Sequence, residues 1–138
     1  MDLARFIDAQ APVYAKVVRE LSAGQKQSHW MWFIFPQIAG LGHSAMAQRY
    51  AIASLDEARA YAAHPLLGTR LRECTRLVLA VQGKEIGNIL GAPDDMKFRS
   101  CMTLFAQAAP SDPLFRAALA QYFAGREDDK TIVLLSRA

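Results

Sequence analysis

Three groups of polar side chains in this 138-residue chain have the types and spacing to do chemistry. Ser28, His29 and Gln37 surround an aromatic run, Trp30-Met31-Trp32-Phe33-Ile34-Phe35-Pro36, which holds both tryptophans of the protein. His64 and Arg70 bracket a His-Pro-Leu-Leu-Gly turn, and Asp94, Asp95, Lys97, Arg99, Ser100 and Thr103 follow Pro93. Bulky aromatics belong in cores, so the run by itself predicts burial. The hydrogen-bonding groups set among it must find partners inside the protein, or line a pocket and meet a ligand.

Each group has a chemical and a plainer reading. Histidine is a common acid or base in enzymes and His29 could serve as one, yet a histidine held by a backbone carbonyl is the more economical assignment. His64 precedes a proline, where an imidazole can cap the following helix. Asp94 and Asp95 suit the positive end of a helix, where each contributes about 0.3–1 kcal/mol. Asp95 and Arg99 stand four apart, the spacing of a surface ion pair or of the polar wall of a pocket; the surface pair is favoured. Lys97, Ser100 and Thr103 fall outside the apolar stripe and read as an exposed face.

Several enzyme classes lack their minimal parts. The chain has no Gly-x-Gly-x-x-Gly, no phosphate loop, no Gly-x-Ser-x-Gly and no His-Glu-x-x-His. His29, His43 and His64 have no helical metal-ligand spacing, so no metal and no cofactor are called for. Cys74 and Cys101 are isolated within apolar patterns and read as buried thiols.

The elements that must position these groups are helical. Leu3, Phe6, Ile7, Tyr14, Val17, Val18 and Leu21 follow helix spacing, with Pro12 forcing a kink or two short helices. Gly24 to Gly42 reads as a loop holding the aromatic run. Ser54-Leu55-Asp56-Glu57 is a capping box, and Pro65 suits the first position of the next helix. Leu67, Leu71, Cys74, Val78 and Val81 continue it to Gly83. Pro93 opens a helix buried through Phe98, Cys101, Met102 and Phe105, and Asp112-Pro113 opens another that Gly125 closes. Thr131 to Leu135 is β-branched but has no pairing partner, so it reads as a short helix. No segment alternates at period two. The expected fold is all-α: one compact domain over residues 1–138, an orthogonal bundle of about six to eight helices, several of them short.

Composition sets outer limits. With 52% hydrophobic and 21% charged residues the chain is an ordinary globular protein. Its net charge of +3 is scattered, which disfavours nucleic acid as a partner. The longest apolar stretch, Trp30 to Phe35, is far short of the ~20 residues of a membrane span, and the amino terminus lacks a secretory signal. A cytoplasmic location without membrane contact is the default.

The run from Ser28 to Gln37 resembles the hallmark of a bacterial family known as domain of unknown function 1810. His64-Pro65-Leu66-Leu67-Gly68-Thr69-Arg70-Leu71 is similar to its second motif, and Pro93 to Phe105 to its third. Ser100-Cys101 stands where the third motif usually has two serines. The resemblance extends from Leu3 to about Phe123 and implies a compact all-helical fold, without an established activity. Some relatives carry the label calpastatin. That inhibitor is a disordered chain, and the apolar content here argues against transferring the label.

Two functional readings follow. In the first, the three polar groups converge on one pocket for a small polar or nucleotide-like molecule. Trp30 or Trp32 offers a stacking face, Gln37 an amide, Lys97 and Arg99 charge for a phosphate, and His64, Arg70 and Ser100 complete the lining. Hydrolysis or group transfer there would use His29, Asp94 or Asp95 as acid and base. In the second, the aromatic run forms core plus an exposed patch for a protein partner or a second copy of the chain.

Overall fold

Proline 12 divides the first helical pattern, as its missing amide requires. A computed structural model, which describes residues 1–137, has α1 at Ala4–Gln10 and α2 at Tyr14–Ser22 on either side of it. Then come α3 (Met31–Ile34), α4 (Ala45–Arg49), α5 (Leu55–Ala63), α6 (Leu67–Ala80), α7 (Ile86–Leu90), α8 (Asp94–Ala108), α9 (Leu114–Phe123) and α10 (Asp129–Arg137). The described residues thus form ten helices and no strand, more than the six to eight expected. The additional elements are α3, α4 and α7, each four or five residues long and too short to show a period. The carboxyl-terminal segment is helical, as its lack of a pairing partner implied.

Local chemistry explains the boundaries. The Ser54 hydroxyl accepts from the Glu57 amide at 3.1 Å, while the Glu57 carboxylate takes the Ala53 amide at 2.9 Å, one residue before the cap. Pro65 does not open α6, which begins at Leu67. His64 lies before it, and its Nδ1 accepts the amides of Leu66 and Leu67 at 3.1 and 3.2 Å. An imidazole therefore occupies the place of a capping hydroxyl. Asp112 Oδ1 accepts the Leu114 amide at 3.0 Å and so caps α9.

At the centre lies α8, packed against α5, α7, α9 and α10. It is buried on more than one face: Ser100 and Thr103 are enclosed together with Phe98, Cys101, Met102 and Phe105. The exposed face expected for Ser100 and Thr103 is therefore covered. The cover is α10 with the residue just before it, Asp128, whose carboxylate accepts from Ser100 at 3.1 Å and whose amide donates to Thr103 Oγ1 at 2.9 Å. Two polar side chains can face an element docked by its own polar start, because each finds a partner there. The Asp95–Arg99 pair does not form either. Arg99 donates to the carbonyls of Arg126 and Glu127 at 2.9 and 2.7 Å, holding the turn between α9 and α10.

Cys74 and Cys101 are buried free thiols. Burial pushes the Cys74 thiol up to about 12, and Cys101 well above its ordinary range, so both are inert as nucleophiles at neutral pH. Among the described residues no helix is long and apolar enough to cross a membrane.

Candidate functional site

The aromatic run is held from below by one carboxylate. Glu20, in the last turn of α2, is buried and accepts four hydrogen bonds. The Gln27 and Ser28 amides donate at 2.7 and 2.9 Å, the Ser28 hydroxyl at 2.6 Å and the Trp30 indole at 3.0 Å. Burial alone would raise its pKa. The Ser28 hydroxyl, the two amides and the indole outweigh that and bring it from 4.5 to about 2. Ser28 and Trp30 are thereby accounted for as structural partners of Glu20.

A second buried hub lies beneath α3. Gln10 Nε2 donates to the Phe33 carbonyl at 2.7 Å and to the Tyr61 hydroxyl at 3.0 Å. Arg70 donates to Gln10 Oε1 at 3.4 Å and lies 4.5 Å over the Tyr14 ring. On the other side Phe35 meets Phe98 edge-on, with centroids 4.9 Å apart, which fixes the run against α8. Among the described residues every buried side-chain nitrogen and oxygen has a hydrogen-bond partner.

Two lysines join the aromatic run to the start of α8. Asp94 stands between them, 2.9 Å from Lys26 Nζ and 3.6 Å from Lys97 Nζ. Lys26 lies 5.1 Å from the Trp30 ring and Lys97 5.7 Å from the Trp32 ring. Trp30, Phe33 and Phe35 are buried, while Trp32 remains partly exposed. It is the aromatic side chain of the run that solvent reaches.

Trp32 forms one wall of a hollow of about 130 Å³, with Gln37, Gly42, Gln48 and Tyr50 around it. The rear of the hollow is fixed by a short bridge. The Ala39 amide donates to the Ile52 carbonyl at 2.8 Å, and the Ile52 amide to the Gln37 carbonyl at 2.8 Å. α4 lies so close that a Cβ on Gly42 would meet that of Ala47 at 2.5 Å. Glycine there is a packing requirement.

The three sequence motifs do not meet around one space. Trp32 and Gln37 share this hollow, with Lys97 beside the indole. Asp95 lines a separate, wider depression with Gln82, Glu85, Gln121 and Tyr122. One oxygen of Asp95 accepts the Met96 amide at 2.8 Å. His29 is exposed, His64 caps α6, and Arg99 and Ser100 are engaged with the segment from Arg126 to Asp128. Trp30 is 1% exposed, so no ligand can stack on it. Among the described residues no three His, Cys, Asp or Glu stand close enough to hold a metal ion.

Glu20 and Gln10 escape notice in the sequence. Glu20 sits beside Arg19 on an amphipathic helix, where a charged residue reads as solvated. Ser28 was the available signal, since a hydroxyl beside two tryptophans needs an acceptor.

Comparison with known proteins gives one family and one close structure. The family model described as "Protein of unknown function (DUF1810)" matches residues 1–135. The crystal structure of the conserved hypothetical protein Rv1873 from Mycobacterium tuberculosis is 58% identical, with a TM-score of 0.96. The match covers 98% of this chain and 96% of that one. No curated protein matches the chain.

Proposed function

The chain belongs to the DUF1810 family of unknown function, and from that premise we propose that it binds a small polar, nucleotide-like ligand against Trp32. One observation carries the reading: in an otherwise buried aromatic run, Trp32 alone is left partly open, at a hollow with two side-chain amides and a lysine beside the ring. A planar group stacks on the indole, Gln37 and Gln48 offer donors and acceptors beside the one Gln48 N–H already given to the His43 carbonyl at 2.9 Å, and Lys97, which shares Asp94 with Lys26, meets an anionic group. Size restricts the fit. A hollow of about 130 Å³ is below the ~300–1,000 Å³ of sites that enclose a drug-sized ligand. One ring or sugar enters it, and the rest of the molecule lies along the indole toward Lys97.

The reading is one of binding without chemistry. Asp94 is occupied by Lys26 and Lys97, while His29 and Asp95 lie outside the lining. As for an interaction module, Ile132 and Val133 are exposed side by side on α10, whereas Met1, Leu66 and Met96 are exposed as separate single residues. Such isolated residues are ordinary on a monomer's surface.

Calorimetric titration with adenosine monophosphate, uridine monophosphate and ribose 5-phosphate tests the proposal. At least one binds the wild-type chain, and Trp32→Ala weakens it by about tenfold or more, the loss of one stacking contact. Trp32→Ala melting near the wild-type temperature but binding with unchanged affinity contradicts the proposal, as does a wild-type chain that binds none of the three.

A further inference from the structure

A second hollow lies against α10, away from the Trp32 ring. Lys130, Val133, Leu134 and Arg137 fall at positions i, i+3, i+4 and i+7 and so share one face of that helix. The loop carrying Leu41 and His43 stands opposite, and together they border a solvent-open groove of about 350 Å³. That volume is within the ~300–1,000 Å³ range of small-molecule sites.

The lining is divided by chemistry. Leu41, Val133 and Leu134 make an apolar middle, with Val133 still 44% exposed at its edge. Lys130 and Arg137 stand at the two ends of the helical stripe, and neither makes an ion pair among the described residues. Asp129 also borders the hollow, beside Lys130, and reduces the positive potential at that end. Arg137 has no such neighbour in the lining, and its planar guanidinium can hold a carboxylate through two parallel hydrogen bonds.

Gly40 allows the loop to approach this closely. Its φ is +105°, and a Cβ there would meet Leu134 at 3.1 Å. Glycine tolerates both conditions. The two hollows share only this residue, so the one on α10 does not depend on the reading given for Trp32.

We propose that the α10 hollow binds a free anionic amphiphile, a single alkyl carboxylate whose chain covers Leu41, Val133 and Leu134 and whose carboxylate meets Arg137. From Lys130 to Arg137 the helix advances about 10 Å, comparable with an extended medium-chain fatty acid. Charge complementarity and a lining of mixed polarity favour this occupant over a wholly apolar one. A recessed hollow between loop and helix favours a free molecule over a bilayer.

The test titrates decanoate, decanol and anionic phosphatidylglycerol vesicles into the full chain, read by amide NMR shifts and calorimetry. Decanoate is expected to saturate one site and to move the amides of residues 40–43 and 129–137. Decanol binds about tenfold more weakly, for want of the charge-assisted contact. Val133→Asp and Arg137→Glu, both at exposed positions, each weaken decanoate by a similar factor. No binding of decanoate, equal affinity for decanol, or wild-type affinity in both variants overturns the proposal. So does binding to vesicles alone, or a ligand-free dimer that buries the same residues.

Discussion

At the scale of the residue, Glu20 decides how the aromatic run is presented. Its carboxylate satisfies two amides, a hydroxyl and an indole that would otherwise be left without partners near the core. The folded pKa, about 2, lies below the ordinary 4.5, so this contribution is fully present above pH 4.5. It is lost as pH falls from there through about 2. A shift of that size corresponds to about 3 kcal/mol as an order of magnitude. Glu20→Gln keeps an acceptor and removes the titration. Urea unfolding should therefore show the difference between wild type and Glu20→Gln shrinking as the pH is lowered through that window. A constant difference would mean that the carboxylate carries no such load. The same residue shows where the sequence falls silent. Ser28 announced an unmet hydrogen bond, but its partner lies eight positions back across a glycine turn, in a helix whose charges look solvated. Trp30 and Trp32 are a similar case. Two indoles in one run look alike as sequence, and only the donation to Glu20 separates the buried one from the one at the hollow.

Among elements, the long helices were legible and the short ones were not. α6 and α9 carry apolar residues at three-and-four spacing over several turns, and α8 carries enough of them for its axis to be read. α3, α4 and α7 complete barely one turn each, so packing decides them and periodicity cannot. Their neighbours do the positioning. Where α5 meets α6, a Cβ on Gly68 would run into the Ala62 carbonyl, and Arg72 donates to that same carbonyl at 2.8 Å. Arg72 also reaches Asp112 at 2.7 Å, joining α6 to the start of α9. Helix propensity alone favours alanine over glycine by about 1 kcal/mol. Gly68→Ala is nevertheless expected to destabilise the protein by about 1–3 kcal/mol, because the obstruction is backbone and cannot rotate aside. Thermal or urea unfolding measures this; a stabilised variant would show that α5 and α6 are not in the contact described.

For the whole molecule, the three motifs serve different ends of one core. The aromatic run supplies core through Trp30, Phe33 and Phe35, and a partly open ring through Trp32. The His-Pro turn caps α6, and the helix after Pro93 joins the run at Asp94, Lys97 and Phe98 while Arg99, Ser100 and Thr103 receive the turn that leads into α10. Convergence of all three on a single pocket was the natural expectation from their chemistry. Folding instead satisfies most of those groups internally, because a buried polar atom without a partner costs about 1–3 kcal/mol. What the hollow presents is narrower: an indole, two partly engaged amides and, beside the ring, a lysine paired with Asp94. The most direct measurement follows the Trp32 indole proton and the side-chain amides of Gln37 and Gln48 by two-dimensional NMR while adenosine monophosphate is added. These three signals are expected to move together and saturate, while the Trp30 indole, bonded to Glu20, stays in place. Saturable shifts confined to other surfaces, with the Trp32, Gln37 and Gln48 signals unmoved, would contradict the proposed binding.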